Sequence, residues 1–217
     1  MNKEKKIPFV RRTSYPVYYM FTVTFVTAGI LIGFDRMTSG RVEANRRILF
    51  EKAVLEAVGM DVGEMSSREI HGNFTEHVKE PSDRSAGAWG MKRQGSTLVY
   101  ALPFDGKGFW DTIRGVVGIE ADGSSLTGLA FFKQRETPGL GAEIVKPRFT
   151  DQFKGLSVGD GKTAVRLVSA GAKSGRNEVD AVTGATETCS RLEDILNNAL
   201  FRWRNEMGLS GETVEAE

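Results

Sequence analysis

The chain has 217 residues, of which 40% are hydrophobic and 26% charged, a usage typical of globular proteins rather than of collagenous or disordered chains. Its 29 basic and 28 acidic residues leave a formal net charge of +1, so no overall positive field is available to bind a nucleic acid backbone. The length predicts one globular domain and a smaller additional segment.

An uncharged segment follows a basic N-terminus. No charged residue occurs between Thr13 and Phe34, and a helix over that segment would be about 33 Å long, enough to cross a hydrocarbon core of about 30 Å. Tyrosines stand at its front edge, where a membrane–water interface favours them. The sequence therefore predicts a transmembrane helix at residues 13–34 after a cytoplasmic tail at residues 1–12.

A cleaved signal peptide is the alternative interpretation of this segment. Its apolar core would be about 7–15 residues long, which is shorter than the segment observed, and the nearest plausible cleavage sequence, Val42-Glu43-Ala44, lies well beyond Phe34. We therefore expect an anchor. Five basic residues precede the span and four follow it closely, a small bias that favours a main domain on the outer side.

A helix and then a loop are expected next. Apolar residues recur at helical spacing between Arg41 and Val58, and Gly59 would end that helix. Residues 61–90 are polar and short of long apolar side chains, so irregular structure is predicted there. Residues 35–94 are interpreted as a juxtamembrane helix and connecting region.

Strand patterns begin after Gly95. Residues 97–102, 113–119 and 126–132 are predicted strands, and the sequence Asp122-Gly123-Ser124 between the last two has the composition of a hairpin turn. The pattern therefore predicts consecutive antiparallel strands.

Shorter elements precede a long C-terminal helix. A short helix is predicted at residues 147–153, and short strands at residues 164–170 and 178–182. Apolar residues from Cys189 to Trp203 then follow a helical stripe.

These elements predict an α+β fold. Residues 95–208 would form one domain with a mostly antiparallel sheet and flanking helices. The acidic residues 209–217 are interpreted as a flexible tail.

Metal chemistry is not expected. Cys189 is the one cysteine and His71 and His77 are the two histidines, too few ligands for a zinc site or an iron–sulfur cluster. We interpret both histidines as surface residues. No acid–base or nucleophilic catalytic cluster is predicted either, so redox chemistry would need an organic cofactor.

The sequence Asp180-Ala-Val-Thr-Gly-Ala-Thr186 stands at the predicted start of the C-terminal helix. One interpretation is an ordinary helix start in which Thr183 is the N-cap. The other is an anion site, because a helix N-terminus offers free N–H groups and a positive dipole end. Gly184 and Ala185 would leave room for the backbone to approach a phosphate, and a threonine hydroxyl such as that of Thr186 could carry one as an ester.

Two further glycine-containing segments have an ordinary and a functional interpretation. Residues 135–141 contain Pro138-Gly139, which indicates either a simple turn or a rigid loop against a flat ligand. Residues 106–110 end in Phe109-Trp110, which indicates either a bend with core aromatic residues or a wall for a ring to stack on.

Taken in this order and spacing, these motifs and the N-terminal anchor resemble the FMN-binding subunit of a membrane redox complex. The two relatives are RnfG of the Rnf complex and NqrC of the sodium-pumping NADH:quinone reductase. The resemblance covers Gly95 to about Trp203 and the anchor. Phe109-Trp110 after Gly108 favours the quinone reductase, whose motif is Gly-Leu-Trp, whereas the length favours Rnf, so both remain open.

The resemblance implies a covalent FMN, held by a phosphoester to Thr186 and installed by a separate flavin transferase that recognises residues 180–186. It also implies that the segment from Glu136 to Gly141 lines the flavin ring. The residues implied to bind the cofactor are Thr186, Thr183, Gly184, Ala185, Asp180, Glu136, Thr137, Gly139, Leu140, Phe109 and Trp110.

The function implied by the resemblance is electron transfer through FMN within an ion-translocating oxidoreductase of the ferredoxin:NAD or NADH:quinone type. Its partners would be the other membrane subunits of such a complex, in the bacterial inner membrane with the main domain on the periplasmic side. Two other interpretations remain: an anchored assembly subunit without flavin, and a stand-alone periplasmic flavoprotein reductase.

Overall fold

The computed structural model describes residues 14–92 and 98–209. The predicted tail at residues 1–12 lies outside the described residues, as does all but the first residue of the predicted tail at residues 209–217. The first residue of the predicted span and residues 93–97, where one predicted domain boundary falls, also lie outside them. The chain divides into two compact units that meet between Asn45 and Arg46. The domain boundaries drawn from the sequence stay predictions.

The first helix, α1 (Tyr15–Ala57), is continuous over 43 residues. The predicted span and the predicted juxtamembrane helix are therefore parts of one helix. Within the described residues, α1 is the one helix that is long and apolar enough to cross a membrane. Its large apolar side chains from Val17 to Phe34 are exposed, as a surface that faces lipid requires.

A five-stranded antiparallel sheet forms the centre of the second unit, and its strands follow one another in chain order. The predicted α+β fold is confirmed. The strands are β1 (Val78–Lys79), β2 (Trp89–Lys92), β3 (Leu98–Lys107), β4 (Thr112–Glu120) and β5 (Leu126–Lys133).

Helices cover both faces of this sheet because alternate residues of each strand point to opposite sides. On one face, Tyr100 and Leu102 pack with the apolar stripe of α4 (Thr186–Glu206). On the other face, Val99 and Ala101 pack with the C-terminal turns of α1 and with α2 (Ser67–His77). The two cores are thus separated by the sheet.

The expected loop at residues 61–90 is wrong, because α2, β1 and the first two residues of β2 lie within it. Ser66 and Glu69 form a capping box at the start of α2, which satisfies free N–H groups of the first turn. Ile70 and Phe74, one helical turn apart, bury the inner face of this helix. The polar composition of the segment concealed this two-residue apolar face.

A smaller layer connects the sheet to α4. It contains α3 (Pro147–Thr150) and a parallel pair of strands, β6 (Arg166–Val168) and β7 (Glu178–Asp180). Short 3₁₀ turns flank α3 at Gly141–Val145 and Asp151–Phe153. This layer places the end of β7 directly before the start of α4.

The last turn of α1 sits over a pair of glycines in the sheet. Gly118 of β4 is paired with Gly128 of β5, and a Cβ built at Gly118 would collide with the carbonyl oxygen of Ala57. Thr127 donates a hydrogen bond of 2.6 Å from its hydroxyl to that same oxygen. The two glycines therefore form a notch that admits the helix backbone.

Candidate functional site

The N-terminus of α4 is free of any side-chain cap. The helix begins at Thr186, and the N-cap residue is Ala185, whose side chain makes no capping hydrogen bond. The predicted N-cap role of Thr183 is therefore wrong, because Gly184, with a φ of +79°, turns the chain between that threonine and the helix. The hydroxyl-bearing residues Thr183 and Thr186 are both accessible to solvent. An uncapped helix N-terminus with accessible hydroxyls can accommodate an anion.

The second predicted motif forms a tight turn next to this helix start. The carbonyl oxygen of Thr137 accepts hydrogen bonds from the backbone N–H groups of Leu140 and Ala142, both at 3.1 Å. Gly139 has a φ of +76°, which a residue with a side chain rarely adopts. A Cβ at Gly184 would lie 3.0 Å from Cδ2 of Leu140. The structure thus brings the two motifs into contact.

Glu136 lies beneath the turn, buried to 4% exposure. Its Oε1 accepts a hydrogen bond of 3.0 Å from the backbone N–H of Trp110, and its Oε2 accepts one of 2.8 Å from the hydroxyl of Thr188. A buried carboxylate needs such donors to offset its desolvation. Both carboxylate oxygens are therefore engaged by the protein.

Two clefts lie beside each other at the end of β7, with volumes of about 640 and 500 Å³. They share the segment Ala181–Thr183. Gly139 lines the larger cleft and Thr186 the smaller one. Each volume is within the range of small-molecule sites, about 300–1,000 Å³.

Asp180 lines the larger cleft and is held from three sides. Gln152 accepts a hydrogen bond of 2.9 Å from the backbone N–H of Asp180 and donates one of 3.3 Å to its carbonyl oxygen. The Asp180 carboxylate accepts from the N–H of Gly171 at 2.8 Å and lies 3.5 Å from Lys173 Nζ. Asp180 is thus held both by the loop that precedes β7 and by Gln152, which is 28 residues away in the sequence.

The aromatic pair at residues 109–110 lies at the turn between β3 and β4. Phe109 and Trp110 are 47% and 66% exposed, and their rings meet edge to face at 5.2 Å. Neither residue lines the two clefts. The structure connects this pair to the rest of the site through the hydrogen bond from Trp110 to Glu136.

Three residues that support the site were not among the predicted cofactor-binding residues: Gln152, Thr188 and Cys189. Buried Cys189 accepts a hydrogen bond from the N–H of Val182 at 3.3 Å. Burial raises the pKa of its thiol, so the thiol is neutral at physiological pH. The sequence offered one signal for Thr188 and Cys189, because they lie two and three residues after Thr186 on the predicted helix.

Glu178 of β7 organises the loop that precedes Asp180. Its carboxylate accepts hydrogen bonds from the backbone N–H groups of Ser174 and Gly175 at 2.7 and 2.9 Å. These backbone donors, with the Ser174 hydroxyl and the Arg166 guanidinium, hold the pKa of Glu178 below its ordinary value of 4.5.

Glu178→Gln should therefore destabilise the protein at pH 7 but much less in acid. The folded pKa lies below the unfolded one, so the stabilisation is present above about pH 4.5 and is lost as pH falls through the folded pKa. Thermal unfolding of the full chain in detergent between pH 7 and pH 3 measures this. Glu76→Gln, at an exposed site on α2, is the control. A Tm difference between Glu178→Gln and wild type that does not shrink in acid would contradict the prediction.

The class of this domain follows from comparison with known families. Residues 108–201 match the family described as the FMN-binding domain. The match spans β4, β5, the connecting layer and most of α4, including both motifs at the site. This part of the chain is similar to that family.

The relatives are NqrC proteins, which are subunits of Na(+)-translocating NADH-quinone reductase. The chain is 31% identical over 116 residues to the protein of Pasteurella multocida, 35% over 106 residues to that of Vibrio alginolyticus and 40% over 94 residues to that of Neisseria meningitidis serogroup A. These matches cover 52%, 48% and 42% of this chain and 43%, 41% and 36% of the relatives. The matched part thus spans about two-fifths of the relatives' length. The predicted resemblance to this family is confirmed.

Solved structures agree on the fold. The crystal structure of the NqrC protein from Parabacteroides distasonis superposes with a TM-score of 0.66 at 23% identity and covers 82% of this chain and 98% of its own. NqrC of Shewanella oneidensis gives a TM-score of 0.57 at 23% identity, covering 76% of this chain and 98% of its own. These similarities show the fold that the two proteins share with this chain.

Proposed function

We propose that this chain is a membrane-anchored flavoprotein subunit that carries FMN on Thr186 and relays electrons within a complex of the sodium-translocating NADH:quinone reductase type. The observation that carries the proposal is the position of Thr186. This residue is exposed, begins α4 at an uncapped N-terminus and lines a cleft of about 500 Å³.

The chemistry of the site fits a phosphate ester. The N–H groups and the dipole of the first turn of α4 stabilise negative charge, and Gly184 leaves the approach to this turn free of a side chain. The reaction would join the Thr186 Oγ to the phosphorus of the flavin phosphate, with loss of the hydroxyl proton. The donor would be a flavin dinucleotide: the bond between the FMN phosphorus and the bridging pyrophosphate oxygen would break, and the other half would leave as a nucleoside monophosphate. A flavin transferase would catalyse this transfer of FMN.

The rest of the flavin would occupy the adjoining clefts. Thr183 lines both of them, and Gly139 lines the larger one. Lys146, Arg148 and Lys173 also line the larger cleft, where Lys146 pairs with Glu143 and Lys173 with Asp180. The three cations against two carboxylates leave a small excess of positive charge, which suits an anionic ligand. The protein would contribute orientation and an electrostatic environment here, since FMN itself accepts and releases electrons singly or in pairs.

Membrane attachment is part of the proposal. The exposed apolar half of α1 supports a single-pass anchor. We place it in the inner membrane with the folded domain on the periplasmic side, which the small excess of basic residues before the span favours. Such a tether keeps the domain close to the redox centres of other subunits, which raises its effective concentration there. The relatives favour the quinone reductase over Rnf, the two options that the sequence leaves open, and hence other subunits of that complex as partners.

The test is coexpression of the full chain with its flavin transferase. We expect flavin fluorescence that survives a denaturing gel and a peptide containing Thr186 whose mass is increased by FMN less one water. An unmodified peptide under these conditions would contradict the proposal and favour an assembly subunit without flavin. Copurification of the other membrane subunits with the flavinylated chain is expected, and a flavinylated chain that purifies alone would favour a stand-alone reductase.

A further inference from the structure

Glu136 joins three segments that are far apart in the sequence. It precedes the turn at Thr137–Leu140, accepts a hydrogen bond from Trp110 in the β3–β4 turn and accepts another from Thr188 in the first turn of α4. The partners are 26 and 52 residues away. The carboxylate is therefore a direct connection between the loop, the β3–β4 turn and the helix start.

The surroundings of this carboxylate leave little room for another arrangement. A Cβ at Gly108 would lie 2.5 Å from Oε1 of Glu136, and a Cβ at Gly141 would lie 3.1 Å from Oε2 and 2.6 Å from the Thr188 hydroxyl oxygen. Both glycines are therefore required for Glu136 to reach its two donors. Because both oxygens accept from the protein and the residue is buried, the carboxylate is not available to a ligand in the clefts.

We propose that Glu136 is a positioning residue of the flavin site and does not touch the flavin. Its carboxylate holds the Thr137–Leu140 turn against the first turn of α4, where Leu140 packs on Gly184 next to Thr186. The inference rests on the proposed function of Thr186 and adds the residue that assembles its surroundings. It also differs from the sequence expectation that Glu136 lines the flavin ring.

Substitutions distinguish whether Glu136 acts through its hydrogen bonds or through its negative charge. Glu136→Gln removes the charge and keeps both hydrogen bonds, since the amide oxygen can accept from Trp110 and the amide N–H₂ can donate to the Thr188 hydroxyl. Glu136→Ala removes both bonds and leaves the N–H of Trp110 without its acceptor. Thr188→Val removes one bond at nearly constant volume, and Thr188→Ser keeps the hydroxyl.

The experiment measures covalent flavin on the full chain, coexpressed with the flavin transferase and purified in detergent. Mass spectrometry gives the flavinylated fraction over a time course, and visible circular dichroism reports the environment of the bound flavin. We expect Glu136→Ala to lower the attachment rate on the order of tenfold, in line with loss of hydrogen bonds to a charged group. Thr188→Val should have a smaller effect of the same sign. Glu136→Gln and Thr188→Ser should resemble wild type in both readouts.

A control variant that is destabilised at least as much as Glu136→Ala distinguishes a positioning role from general destabilisation. Leu200→Ala removes a fully buried side chain of α4 that is remote from Thr186 in the helix. We expect it to lower the Tm at least as much as Glu136→Ala and to keep a normal attachment rate below the Tm. An equal loss of attachment in Leu200→Ala would overturn the positioning role, as would full attachment with an unchanged flavin spectrum in Glu136→Ala.

Three outcomes separate failure of the inference from failure of the proposed function. If Glu136→Gln is as defective as Glu136→Ala, the charge rather than the hydrogen bonds is required, and the positioning role is wrong. If the wild-type chain takes up no flavin, the proposed function fails first and the inference fails with it. If the wild-type chain and Glu136→Ala both attach flavin normally, the positioning role of Glu136 is wrong and the proposed function stands.

Discussion

Replacing Thr186 by alanine should abolish covalent flavin and leave the fold intact. Thr186 is exposed at the first position of α4, and the helix start does not depend on its side chain, because the N-cap is Ala185. Alanine also has a higher helix propensity than threonine. The free energy of unfolding should therefore change by less than about 0.5 kcal/mol. In-gel fluorescence and peptide mass spectrometry measure the loss of flavin, and thermal unfolding measures the stability.

Two variants make this result specific. Thr186→Ser keeps a hydroxyl at the same position and should retain covalent flavin. Thr163→Ala removes an exposed threonine that lines neither cleft and should behave as wild type. A denaturation-resistant flavin that persists in Thr186→Ala would place the ester on another residue, for which the nearby Thr183 is the first candidate.

Gly118→Ala should destabilise the protein strongly although it adds a single methyl group. The added Cβ would collide with the carbonyl oxygen of Ala57 and lie 2.6 Å from its carbonyl carbon. Both atoms belong to backbone, which cannot rotate away as a side chain can, so the last turn of α1 must move off the sheet. We expect a loss of at least about 3 kcal/mol in the free energy of unfolding, measured by chemical denaturation of the full chain in detergent.

Other glycines provide a graded control for this effect. A Cβ at Gly128 would lie 3.0 Å from the oxygen of Ala57, so Gly128→Ala should destabilise less than Gly118→Ala. Gly72 lies within α2 with nothing near its built Cβ, and Gly72→Ala should be neutral or stabilise by up to about 1 kcal/mol. Equal stability of the Gly118 and Gly72 variants would show that the notch does not constrain α1.

Local sequence patterns were sufficient to predict most of the secondary structure. Short apolar runs bounded by turn residues predicted the strands that became β3, β4 and β5, and the apolar stripe from Cys189 to Trp203 predicted α4. These signals are strong because each element buries one continuous face against the core. The polar α2 was missed because its buried face has only Ile70 and Phe74.

The candidate site, like the fold, was predicted from the sequence only in part. The sequence by itself determined the motif with Thr186 at a helix start and the Pro138-Gly139 turn, because glycine, proline and threonine restrict the local backbone directly. Only the tertiary structure decided that Thr183 is not the cap and that Glu136 points inward to Trp110 and Thr188. Those contacts join residues tens of positions apart, and which side chains meet over such separations depends on how the sheet and helices pack rather than on any local pattern.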